Sequence, residues 1–121
     1  MRCALQPFRN LAAWEKSHEF TLRVYRISES FPKTETFGLA ATLRRGSAHL
    51  SMKIAEACGQ DTPTDFVNCL RQARGIGMEV EYQLLLARDL QFMKPDDYDT
   101  LQNQVIEVRK MLSGLMKTAA V

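Results

Sequence analysis

Three proline-centred breaks constrain this chain more than any other feature. Phe31-Pro32, Thr62-Pro63 and Lys94-Pro95 divide it into four long stretches. Proline brings no N–H and disfavours helical geometry in the residue before it, so a helix stops or restarts at each of these points. Between the breaks apolar residues recur at steps of three and four, and no stretch alternates as a strand does. Helices of this length joined by short breaks must run antiparallel, because a short loop cannot carry the chain back along a long helix. The expected fold is all-α: an up-down-up-down antiparallel four-helix bundle in one domain over residues 1–121, with helical repeats as a weaker alternative.

The first helix is expected over residues 11–30, with Asn10 as its cap. Leu11, Trp14, His18, Leu22 and Tyr25 share one side of it, and Phe20, Val24 and Ile27 share a nearly opposite one. Two apolar faces call for two partners: one is the domain's own core, the other a subunit contact or a flanking segment. The second helix, over 34–58, lines up Leu39, Leu43, Ser47, Leu50, Ile54 and Ala57, while Ala41, Ala48 and Ala55 recur every seven residues on another side. Such small side chains let a neighbouring helix approach closely.

Thr62-Pro63-Thr64-Asp65 reads as an N-cap, a proline at the first helical position and an acid in the first turn, opening a third helix over 63–92. Its inner stripe is Phe66, Leu70, Ala73, Gly77 and Leu84, with Gly75 and Gly77 suggesting tight approach. The fourth helix, over 95–118, carries the seam Tyr98, Leu101, Val105, Val108, Leu112 and Leu115.

The chain's 121 residues, 45% of them hydrophobic, suffice for one core and exclude a multi-domain enzyme. Sixteen basic against fourteen acidic side chains do not mark a nucleic-acid protein by composition. The basic excess lies within residues 1–75. No window supplies the roughly 18 apolar residues of a membrane span or the apolar core of a signal peptide. Cys3, Cys58 and Cys69 are an odd set without CxxC pairing or metal-ligand spacing, which suits a reducing compartment. A soluble, cytoplasmic protein is expected, with Cys58 and Cys69 as buried structural residues.

No catalytic constellation emerges. Glu15 and His18 form an E-x-x-H half of a di-metal site, but Gly46 stands three before His49 where the second half needs a Glu, so no metal or other cofactor is expected. His18 is read instead as hydrogen-bonded beside the core. Ser17, Ser47 and Ser51 have no His and Asp partners in register, and no glycine-rich loop follows a strand. Arg44, Arg45, Lys53, Arg71 and Arg74, with His49 nearby, are the candidate contacts to an anionic partner, since arginine offers planar bidentate donors to phosphate. The competing reading makes these residues structural, paired with Glu56, Glu79 and Glu81.

The residues FPKTETFGLAATLRR, then Ile54-Ala55-Glu56, Asp65-Phe66, Ala73-Arg74-Gly75, Glu79, Glu81, Gln83 and the run LLLA, together with Leu11 and Trp14, form a pattern. It resembles the four-helix-bundle family named after proteins encoded in intervening sequences of large-subunit ribosomal RNA genes. The resemblance spans about residues 8–92 and implies a ring-like homo-oligomer, commonly a pentamer, without an established enzymatic activity. Members carry a ribosomal-protein label, and a related bundle is the accessory subunit of diversity-generating retroelements, which engages a reverse transcriptase and nucleic acid. The chain departs from the family pattern at Ser51, Lys53 and Ala57, where proline, asparagine and glycine are usual, and at Ile76-Gly77.

The functional expectation is therefore a non-enzymatic, homo-oligomeric binding or scaffold subunit for RNA or a nucleoprotein partner such as a reverse transcriptase. The alternative is a protein-protein adaptor with no nucleic-acid role.

Overall fold

The computed structural model describes residues 7–120, which fold into helices α1 (Ala12–Ser28), α2 (Leu39–Ala57), α3 (Pro63–Asp89) and α4 (Pro95–Ala120). Short 3-10 turns at Phe8–Asn10 and Lys33–Glu35 precede α1 and α2. Cys3 lies outside the described residues. α1 packs on α2 and α4, and α3 packs on the same two, so the helices occupy the corners of a square in chain order. This is the all-α four-helix bundle that the breaks and periods call for.

The inner stripes meet along the axis. Phe20 and Val24 of α1, Leu43, Leu50 and Ile54 of α2, Phe66, Leu70, Val80 and Leu84 of α3, and Leu101, Val105, Val108 and Leu112 of α4 are all buried. Each side chain of this size stabilises the fold by about 1.5–3 kcal/mol relative to exposure. At the end of α4 the buried position passes from the expected Leu115, which is half-buried, to Met116. A straight helix drifts by about 20° per heptad against a 3.5-residue seam, so after Leu112 a step of four points inward better than a step of three.

Helix ends follow local chemistry, and several depart from expectation. At α3 the Asp65 N–H donates to Thr62 Oγ1 at 3.1 Å, the expected cap. At α1 the cap position is Leu11 and no side chain caps it. Asn10 is taken up in the preceding turn, its N–H donating to the Pro7 carbonyl, and α1 closes at Ser28.

α2 begins at Leu39 rather than Thr34, because Gly38 sits at φ −103°, ψ −119°, outside helical space. The Leu39 N–H donates to Glu35 Oε1 at 2.9 Å. A Cβ on residue 38 would lie 2.5 Å from that oxygen, so the glycine is what lets the carboxylate fold over the helix end. α3 stops at Asp89, because Gln91 adopts φ 61°. The Gln91 N–H donates to the Arg88 carbonyl and the Phe92 N–H to the Ala87 carbonyl, both at 2.9 Å, which is a Schellman closure built without glycine. Phe92 then lies 6.0 Å from the ring of Phe31, joining the two loops at that end of the bundle. Among the described residues no helix is long and apolar enough to cross a membrane.

Candidate interaction surface

α1 has the two faces its sequence announces. Phe20 and Val24 are in the core, whereas Leu22 and Tyr25 are each 43% exposed. Trp14, half-buried, meets Phe8 edge-on at 4.9 Å. His18 is not hydrogen-bonded beside the core as expected: it is exposed and stacked on Trp14, with ring centroids 4.9 Å apart and planes 8° from parallel. His18, the ligand candidate of the Glu15–His18 pair, instead uses its i, i+4 spacing from Trp14 for ring stacking.

Across from this face, Ala48, Met52 and Ala55 of α2 complete an open groove of about 490 Å³. Ala48 and Ala55 are two members of the small-residue row expected to admit a neighbouring helix. They keep that wall of the groove low, and among the described residues no helix covers it.

The floor of the groove is a hydroxyl cluster that ties α1 to α2. Ser51 Oγ lies 2.7 Å from Ser17 Oγ and 2.9 Å from Thr21 Oγ1, and Thr21 Oγ1 lies 3.0 Å from the carbonyls of Ser17 and Ser47. All three hydroxyl residues are buried, and each finds a partner within the cluster, as burial of polar groups requires. Ser51 stands where the family pattern carries proline, so the departure supplies the link that closes this cluster. Two further departures have a place in the structure: Ala57 is in the core, and Lys53 pairs with Glu56.

The five candidate cations do not converge. Arg44 Nε donates to Ser28 Oγ at 2.7 Å and Arg44 Nη2 to the Tyr25 carbonyl at 3.2 Å, with the guanidinium 5.2 Å from the Tyr25 ring. It braces the C-terminal end of α1, where a positive charge suits the helix dipole, and it takes no carboxylate. Lys53 Nζ meets Glu56 Oε1 at 3.0 Å, Arg71 donates to Asn68 on its own helix, and Arg74 donates to Ser113 of α4. Arg45 alone of the five is exposed without a partner among the described residues.

The three acids divide as sharply. Glu81 faces Arg109 of α4 at 2.7 Å, with both side chains about three-quarters buried. The contact is made by Arg109 Nη2 and is a close ion pair rather than an aligned hydrogen bond, since Glu81 Oε2 has no hydrogen-bond partner of good geometry. Glu56 pairs with Lys53, and Glu79 is exposed with no partner among the described residues. No motif or spacing in the sequence singles out Arg109. Its only signal is a place between Val108 and Leu112, a cation beside the inner seam that needs an acid across from it.

Cys58 and Cys69 are buried. Cys69 Sγ lies 3.7 Å from Glu56 Oε2. Burial pushes the Cys69 thiol up, and the neighbouring Glu56 carboxylate adds to the rise. The Lys53 ammonium, hydrogen-bonded to Glu56, holds that carboxyl below its usual range. A thiol so placed is a poor nucleophile. No three His, Cys, Asp or Glu side chains among the described residues are grouped to hold a metal ion.

The family model described as "23S rRNA-intervening sequence protein" matches residues 9–114. Among solved structures, the chain is similar to a protein with unknown function from the S23 ribosomal protein family of Bacteroides thetaiotaomicron VPI-5482, with a TM-score of 0.81 and 24% identity. That likeness covers 88% of this chain and 99% of the other, and it speaks for the fold. No curated protein matches.

Proposed function

The chain belongs to the 23S rRNA-intervening sequence protein family, and from that membership we propose a cytoplasmic, non-enzymatic scaffold subunit that assembles with copies of itself through the α1–α2 groove. The observation that carries this reading is the groove itself. Leu22, Tyr25 and Met52 stay exposed around it although the core beneath is complete. A contiguous apolar patch left open by a finished core is the mark of an interaction surface. A ring, five-membered by the family resemblance, is the expected assembly. The hydroxyls that a hydrolase would need are engaged with one another in the Ser17–Thr21–Ser51 cluster, which supports a binding role over a catalytic one.

An RNA or nucleoprotein partner is the second reading, favoured by Arg45, whose guanidinium is open on the outer face of α2 one turn before the exposed His49. Four of the five candidate cations are occupied within the chain, so this reading rests on a smaller surface than the sequence suggested. The adaptor reading, without nucleic acid, is the one the groove favours.

Light scattering of the purified chain, with its absorbance ratio at 260 and 280 nm before and after a high-salt wash, tests both. A closed oligomer free of nucleic acid supports the adaptor. An oligomer with salt-removable nucleic acid supports the nucleoprotein partner. A monomer overturns self-assembly.

A further inference from the structure

We infer that the copies join head to tail, the α1–α2 groove of one receiving the Met78–Tyr82 row of α3 from the next, with Arg45 facing Glu79 across the junction. The inference rests on the self-assembly proposed above and names the two surfaces that meet.

The groove is concave and apolar. A convex apolar row is the complement of such a groove. The chain carries such a row elsewhere. Met78 and Tyr82, four residues apart on α3, are 53% and 62% exposed. They continue the line of Arg74, which reaches Ser113 of α4, so the row flanks the α3–α4 side. With the helices at the corners of a square in chain order, that side lies across the bundle from the α1–α2 groove. Donor and acceptor surfaces on opposite sides of one molecule give a heterologous contact, which closes into a ring or extends as a filament.

The charges agree with this pairing. Arg45 borders the groove, three residues before Ala48 and seven before Met52. Glu79 borders the row, adjacent to Met78 and three residues before Tyr82. Each is exposed and lacks a partner among the described residues. A cation at the rim of one apolar surface and an anion at the rim of the other fix orientation when the two come together, and they disfavour groove-to-groove contact by like charge.

Two exposed substitutions test the arrangement without touching the core: Met52→Glu blocks the groove and Tyr82→Glu blocks the row, with circular dichroism melts as the check that both remain folded. Each alone is expected to be monomeric by light scattering. Mixed in equal amounts they should form a one-to-one heterodimer, because one chain still offers a sound row and the other a sound groove. Arg45→Glu and Glu79→Arg should each weaken association by roughly tenfold, and the chain carrying both should recover it.

If the unaltered chain is itself a monomer, the self-assembly reading fails and this one with it. If the unaltered chain is an oligomer, but Met52→Glu and Tyr82→Glu remain oligomeric or give no heterodimer on mixing, self-assembly stands and the head-to-tail pairing is overturned. The pairing is likewise overturned if Met52→Glu leaves the mass unchanged and instead removes co-purifying nucleic acid, which would assign the groove to RNA.

Discussion

Arg109 of α4 holds Glu81 of α3 at 2.7 Å, and the arginine stem reaches it by crossing Gly77, where a Cβ would lie 3.0 Å from Arg109 Cγ. The glycine leaves room for the stem, and the carboxylate anchors its end. α3 and α4 are thereby joined by a charged contact at the border of the core.

Removing one partner of this pair should cost more than a surface ion pair and less than a fully buried one, because both side chains keep about a quarter of their exposure. Glu81→Ala is expected to lower unfolding stability by about 2 kcal/mol in urea titrations. Leucine at both positions 81 and 109 should recover most of that loss. A loss below about 0.5 kcal/mol for Glu81→Ala would show the pair to be solvated.

Two helical glycines should respond in opposite directions. Gly114 has nothing within 4 Å of a built Cβ, so Gly114→Ala gains helix propensity and should stabilise by up to about 1 kcal/mol. At Gly46 the added Cβ meets Val80 Cγ2 and Gln83 Oε1 at 3.0 Å, and Val80 is fully buried, so the methyl crowds a packed side chain. Gly46→Ala is therefore expected to lower the melting temperature where Gly114→Ala raises it. Equal shifts would contradict this packing.

The Ser17–Thr21–Ser51 cluster predicts non-additivity. Ser51→Ala leaves the buried Ser17 hydroxyl without its partner at 2.7 Å and should cost about 1–2 kcal/mol. Ser17→Ala added to it should cost little more, since the orphaned hydroxyl is then gone. Additive losses in a double-mutant cycle would mean that water satisfies the site.

Cys69 gives a pH dependence. Its folded pKa is raised above the ordinary value of 9.0, so the folded chain holds the thiol proton to higher pH than the unfolded chain does. The resulting stability is complete below pH 9.0 and is lost as the pH rises through the raised folded value. Glu56→Gln removes one cause of the rise while burial, the larger one, persists. Site-resolved alkylation at pH 8.5 should be slow at Cys69 and severalfold faster in Glu56→Gln; an unchanged rate would leave burial as the whole cause.

Much of this molecule could be read along the chain. The inner stripes of α2 and α3, the Thr62–Pro63 start and the outward face of α1 all follow from period and capping chemistry, because each depends on residues within a turn or two of one another. The late start of α2 was harder to see. It depends on Glu35 folding over a glycine, and a carboxylate four residues ahead of a helix is not a cap by residue type. The end of α3 was missed for a similar reason: Gln91 takes the left-handed position that sequence signals reserve for glycine.

Spacing and side-chain size along single helices therefore determined the number of helices, their antiparallel order and which face of each is apolar. Packing between helices decided the rest. Arg44 turned to the α1 terminus rather than to a phosphate, Glu81 found Arg109 twenty-eight positions away, and Ser51 closed a hydroxyl cluster with α1. These partners are far apart in the chain, and only the approach of two helices, set by the fit of the whole core, brings their polar atoms within bonding distance.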